Sequence, residues 1–172
     1  MTVAATAETY DRRIAPRELA TWKIVTIGEQ RSVKDLVKTL ANNDFQVSDW
    51  ARDILQKITL ADGETEVELV QITVRELGFG EGACREAIYH RAKELGIDLV
   101  PAEVGPQLRL QYPDQPLEDW VLLAMEPVVD SSGDLTVFSV IRHNACRWLS
   151  SNRGDPEGFW GPDSRWVFAH RK

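Results

Sequence analysis

Apolar residues recur at helical spacing up to Gly96 and at strand spacing beyond it, and this segregation constrains the fold more than any motif does. In the first half, Ser32 is placed to cap a helix. Asp35 stands at its N3 position, a weaker form of the capping box, and Val33, Leu36, Val37, Leu40 and Ala41 follow on one face. Ser48 caps a second helix, whose apolar face is Val47, Trp50, Ala51, Ile54, Leu55 and Ile58. A third is expected over 83–95, with Gly96 just past its end. Two strands are interleaved with these helices, over 22–28 and 66–74. After Gly96 the pattern changes. Strands are expected over 121–125, 135–142, 147–149 and 165–169. They are joined by a loop at 112–120, a turn at Asp130-Ser131-Ser132-Gly133-Asp134 and a long loop at 151–164. Helices first and strands later predict an α+β fold, not a doubly wound parallel sheet: two or three helices packed on a mixed, mainly antiparallel sheet, with a strand-rich C-terminal half. Residues 1–21, small, polar and interrupted by Pro16, read as a loosely ordered lead-in. Residues 22–172 read as a single domain, with a helical part at 22–96 and a strand-rich part at 97–172.

The charge balance narrows the function classes. A formal net charge of -7 works against non-specific nucleic-acid binding, because neutralising phosphates supplies most of that affinity. No apolar run approaches the roughly 20 residues a membrane helix needs. The first 20 residues lack the apolar core of a secretory signal, and two cysteines, Cys84 and Cys146, make no disulfide framework. Together these features predict a cytoplasmic protein with no membrane association. No feature of the sequence sets an oligomeric state.

One stretch stands out chemically, Pro101 to Tyr112. It turns at Gly105-Pro106 and then alternates, which predicts a strand with Gln107, Arg109 and Gln111 on one face and Leu108, Leu110 and Tyr112 on the other. The turn can bring Glu103 beside that polar face. Two amides, a guanidinium and a carboxylate can read a polar ligand, with Arg109 as the bidentate anchor for an anionic group. The same alternation also suits the solvated face of any antiparallel sheet. Four of the six tryptophans, Trp120, Trp148, Trp160 and Trp166, lie in the last third. They can fill a β-rich core or stack a sugar or base. Trp160, between Phe159 and Gly161 in a loop, either plugs the core or contacts a ligand, and it joins the candidate set.

Other chemistries find less. Cys84 and His90 do not face each other on a helix, and His143 and Cys146 would point to opposite faces of one strand. There is no Cys-x-x-Cys and no His-Glu-x-x-His, so no metal is expected. A carboxylate site from Asp114, Glu118 and Asp119 competes with a plain solvated loop. Gly78-Phe79-Gly80-Glu81-Gly82 departs from the dinucleotide fingerprint, and no Walker-type loop is present, so no cofactor is expected.

At Glu76-Leu77-Gly78-Phe79, at 91–96, at 101–112 and at 124–127 the chain resembles a group of short bacterial proteins of unassigned mechanism. The similarity runs from about Trp22 to the C-terminus. Some of those relatives carry the label helicase, and the missing Walker-type loop gives that label no support. The resemblance implies a bacterial origin and a shared domain. Relatives can hold Cys where this chain has Val100, so no cysteine chemistry is expected at that position.

The expectation is a small binding or interaction protein whose polar face around Glu103, Gln107, Arg109 and Gln111 meets a small polar ligand or a protein partner. The alternative is a hydrolase- or transferase-type enzyme with Glu103 as general base and Arg109 holding an anion. A nucleic-acid accessory factor is third, and would need Arg142, Arg147, Arg153, Arg165 and Arg171 gathered on one surface.

Overall fold

The computed structural model describes residues 19–172, so most of the expected N-terminal lead-in lies outside the described residues. The chain begins with β1 (Lys23–Ile27), α1 (Val33–Asn42), β2 (Gln46–Val47), α2 (Asp49–Leu55) and β3 (Thr65–Thr73). It continues with β4 (Ala83–Cys84), α3 (Arg85–Glu94), β5 (Ile97–Asp98) and α4 (Val104–Gln111). The strand-rich half holds β6 (Trp120–Leu123), β7 (Val128–Val129), β8 (Leu135–His143), β9 (Cys146–Arg153), β10 (Phe159–Trp160) and β11 (Arg165–His170). Nine strands form one mixed sheet with the path β1-β3-β11-β6-β8-β9-β2, β5 adding to β11 and β7 to β8, while β10 and β4 pair separately. Only β11 with β6 and β2 with β9 run parallel in that sheet. The expected α+β class and mainly antiparallel sheet are found.

Local chemistry explains the helix starts. The Ser32 hydroxyl accepts from the Asp35 N–H at 3.1 Å, and the Ser48 hydroxyl from the Ala51 N–H at 3.3 Å. Helix α1 stops where Asp44 turns into the left-handed region, and α3 stops before Gly96, which takes φ 83°.

The strand register divides the apolar residues between two faces. Val25, Val67, Leu69, Val167, Leu123, Val140 and Leu149 share the inner face. Val70, Ile72, Trp166, Phe168 and Leu122 share the outer one. Helix α3 covers part of the outer face. The Tyr89 ring meets Trp166 edge-on at 5.6 Å, and its hydroxyl donates to the Met125 carbonyl at 2.9 Å. Helix α4 touches β1 at one end of the sheet and β8 and β9 toward the other, so the sheet curls into a half-barrel around it.

The strand expected over 107–112 is therefore a helix. Pro106 sits in the first turn of α4, where its missing N–H has no intrahelical partner to lose. Val104, Gly105, Pro106, Gln107, Leu108 and Arg109 are all buried, so the helix has no polar stripe to give a period of 3.6. Alternation in the sequence reflects something else: the odd positions carry the polar groups that bind the surrounding backbone.

Gly105 is where α4 presses hardest on the sheet. A Cβ there would stand 2.6 Å from Cδ2 of the fully buried Phe138 ring. Alanine would gain up to about 1 kcal/mol of helix propensity, but overpacking costs about 1–3 kcal/mol and the ring has no room to retreat. Gly105→Ala is expected to lower stability by about 1–2 kcal/mol in urea denaturation. A stabilised variant would mean that the helix does not sit this close to β8.

Candidate functional site

The structure sets Glu103, Gln107 and Gln111 on one side of α4 and Arg109 on another, and it turns them into the fold. Glu103 is 1% exposed, and Gln107 and Arg109 are 0% exposed. The Glu103 carboxylate accepts from the Gly28 and Ala61 backbone N–H groups, each at 2.7 Å. Gln111 behaves like a short piece of neighbouring strand. Its Oε1 accepts from the Thr26 N–H at 3.0 Å and its Nε2 donates to the Thr26 carbonyl at 2.8 Å, giving β1 the two bonds a paired strand would give. Gln107 donates to the Gln30 side chain and accepts from Gln111 at 3.1 Å.

Arg109 reaches the opposite end of the sheet. Its Nη1 donates to Gln115 Oε1 at 2.7 Å and to the Ile141 carbonyl at 3.0 Å, and its Nη2 to the Tyr112 carbonyl at 2.7 Å. The guanidinium also lies 5.1 Å from the centre of the Phe45 ring. Burial, followed by the nearby cation of Arg147, pushes its pKa down to about 10, so it stays charged at neutral pH. Gln115 passes the network on, donating to Asp119 Oδ2 and the Val140 carbonyl, each at 3.0 Å, and Asp119 pairs with Arg165. These residues hold the half-barrel closed: Gln111 holds β1, and Arg109 holds β8. Both ends are held from one helix.

Trp160 stands on the other side of the sheet. Its ring meets Trp166, on the outer face, at 5.4 Å, and meets Trp120 at 6.3 Å, both edge-on. The three indoles run from the fully buried Trp166 to Trp120, which is 42% exposed. The indole N–H groups of Trp160 and Trp166 are buried without an acceptor among the described residues, an uncommon state for that donor.

Trp120 forms one wall of a surface cleft of about 360 Å³. Leu122 and Pro162 add apolar surface, and Glu118, Asp163, Ser164 and Arg165 add polar atoms. Two loops position these groups. On one side Glu118 takes φ 61°, a left-handed conformation rare outside glycine, just before β6 begins. Its carboxylate accepts from the Asn144 N–H at 3.0 Å and meets His143 Nδ1 at 2.8 Å. Those bonds, the Asn144 N–H first, hold its pKa below the usual glutamate value. On the other side, 161–164 leads into β11 and carries Asp163, which pairs with Arg75 at 3.4 Å. Two ionised groups on the rim thus have a counter-charge of their own, Arg165 in Asp119 and Asp163 in Arg75, while Glu118 is held by hydrogen bonds to Asn144 and His143.

The cleft was only partly visible in the sequence. Trp120 is one of four tryptophans that read either as core or as a stacking surface, and Glu118 enters only as one of three loop carboxylates. The available signal is an acidic pair directly before a tryptophan, but nothing local says that 161–165 folds beside it. His143 and Cys146, expected on opposite faces of one strand, are instead cross-strand partners at the end of the β8–β9 hairpin. Among the described residues no group of three or more His, Cys, Asp or Glu is placed to hold a metal ion. Nor is any helix among them long and apolar enough to cross a membrane. Of the five arginines, Arg142 and Arg147 are cross-strand partners. Arg142 and Arg147 donate to the carbonyls of Gln115 and Pro113, and Arg153, Arg165 and Arg171 pair with Asp155, Asp119 and Asp98. No protein-family model, no curated protein and no solved structure matches the chain.

Proposed function

We propose that this is a binding protein whose Trp120 cleft takes a small, uncharged, hydroxyl-rich ring of the saccharide class. The observation that carries the reading is a half-exposed indole wall in a cleft whose Arg165 and Asp163 are already paired within the protein. A sugar ring has an apolar C–H face and hydroxyls round its edge. The indole suits the first, and the carboxylates of Glu118 and Asp163, the Ser164 hydroxyl and the Arg165 guanidinium suit the second as acceptors and donors. An anionic ligand would have to displace Asp119 to gain the Arg165 counter-charge, whereas a neutral one need only add hydrogen bonds. The enzyme alternative built on Glu103 and Arg109 draws no support from this geometry. Both side chains are enclosed and their bonds go to the protein's own backbone and amides. A protein partner is the second reading, favoured by Phe159 at 65% exposure.

The test is a thermal-shift and fluorescence screen against neutral mono- and oligosaccharides, sugar phosphates, nucleotides and amino acids. Binding to the native state raises the melting temperature by mass action. A neutral saccharide is the expected hit, and Trp120→Ala is expected to weaken it by about tenfold or more while the protein stays folded, at a loss of about 1–2 kcal/mol with the Trp160 contact. A hit confined to anionic ligands, or one indifferent to Trp120→Ala, contradicts the reading. Loss of a partner through Phe159→Ala, with no saccharide hit, would favour the second.

A further inference from the structure

Strand β9 is paired with β8 along its whole length, but on its other edge β2 covers only Trp148 and Leu149. The Leu149 carbonyl faces outward and accepts from the Ser48 N–H at 3.0 Å. With a period of two, the N–H and C=O groups of Ser151 and Arg153 face outward as well. No described residue hydrogen-bonds to them, although α2, which begins at Asp49, stays in contact with β9. Past the start of α2, the edge of β9 is therefore a lane with no strand partner. Beside it lies a depression of about 340 Å³, lined among others by Trp50, Asp134, Leu135, Thr136, Ser151 and Arg153. Trp50 is 51% exposed.

We propose that this lane accepts an extended peptide from a partner protein as an added strand, with a Lys or Arg side chain laid in the depression against Trp50 and Asp134. Main-chain bonds to Ser151 and Arg153 supply affinity, and the depression supplies selectivity for one side chain. Charge sets that side chain. The Asp134 carboxylate has no partner among the described residues, while the cations nearby are taken: Arg153 pairs with Asp155 at 3.2 Å and Lys57 with Asp53 at 3.6 Å. The Trp50 ring adds a face that attracts a cation. A second copy of the chain fits the edge less well. Pairing β9 with itself over 150–153 would bury far less than the roughly 800 Å² per partner of a stable interface, whereas a peptide needs only the lane and one anchor.

The experiment uses fluorescein-labelled peptides of alternating valine and threonine with a central lysine, arginine, alanine or glutamate, read by anisotropy against the full chain. The lysine and arginine peptides are expected to bind about tenfold tighter than the glutamate peptide. Ser151→Pro removes an outward N–H without touching the β8 pairing, and is expected to weaken binding at least about tenfold at an unchanged melting temperature. Amide hydrogen exchange in the unaltered protein gives a second readout: Ser151 and Arg153 should exchange freely alone and become protected with the lysine peptide. No binding by any peptide, binding without protection at those two amides, or protection that grows with protein concentration in the absence of peptide would each overturn the proposal. The last of these would assign the edge to a second copy.

Discussion

Arg109→Ala is expected to destabilise the protein by about 3–5 kcal/mol, the largest effect of any single truncation on α4. The wild-type side chain is 0% exposed and donates to a side-chain amide and at least two backbone carbonyls. Its removal leaves Gln115 Oε1 without its donor, leaves the Tyr112 carbonyl only the long bond from the Gln115 N–H at 3.4 Å, and leaves the Ile141 carbonyl its place in the β8–β9 ladder. Each buried acceptor left unsatisfied costs about 1–3 kcal/mol, and the lost packing against Phe45 adds to it. Relief from burying a cation offsets part of this. The effect is set against a total stability of about 5–15 kcal/mol, so a fall in melting temperature of roughly 10 °C is expected. Arg109→Lys keeps the charge but not the planar fork, and should fall between the two. Urea unfolding followed by tryptophan fluorescence measures all three. A loss under about 0.5 kcal/mol for Arg109→Ala would be the behaviour of an exposed residue.

Glu103→Ala comes second, at about 2–4 kcal/mol. The carboxylate joins the Gly28 N–H, just after β1, to the Ala61 N–H, between α2 and β3. These two segments already press together: a Cβ on Gly28, which takes φ 84°, would stand 2.1 Å from the Gly63 carbonyl oxygen. Charge-assisted bonds of this kind are about twice as strong as neutral ones, and truncation leaves both donors without an acceptor. Glu103→Gln keeps one acceptor and turns an amide N–H toward the other donor, so a loss of about 1–2 kcal/mol is expected. Faster amide exchange at Gly28 and Ala61 in both variants would localise the damage. Unchanged exchange there would detach Glu103 from the join.

Much of the fold was legible because its signals are local. Ser32 and Ser48 announce their helices a few residues ahead, and 66–74 alternates because it lies in a sheet with differing faces. Helix α4 was not legible for the opposite reason. A helix buried on all sides leaves no periodic stripe, and Gly105-Pro106 reads equally as a turn or as a helix start. The polar residues of 101–112 stand out in the sequence, but their partners are far away in it. Gln111 bonds Thr26 and Arg109 bonds Ile141, so no local pattern separates a row that reads a ligand from a row that binds the protein's own backbone. Trp160 was identified from its loop context, yet the wall of the cleft is Trp120, made a wall only when 161–165 folds beside it.

Hydrogen exchange of the side-chain N–H groups of Arg109 and Gln111, followed by NMR after transfer into D2O, tests most directly whether the polar row of α4 holds the fold together. With Arg109 enclosed and Gln111 paired to Thr26, these protons should exchange far more slowly than those of exposed Arg75 or Gln46, and should lose that protection only on unfolding. Exchange at the rate of the exposed side chains would contradict the account and return Glu103, Gln107, Arg109 and Gln111 to the surface as a ligand site.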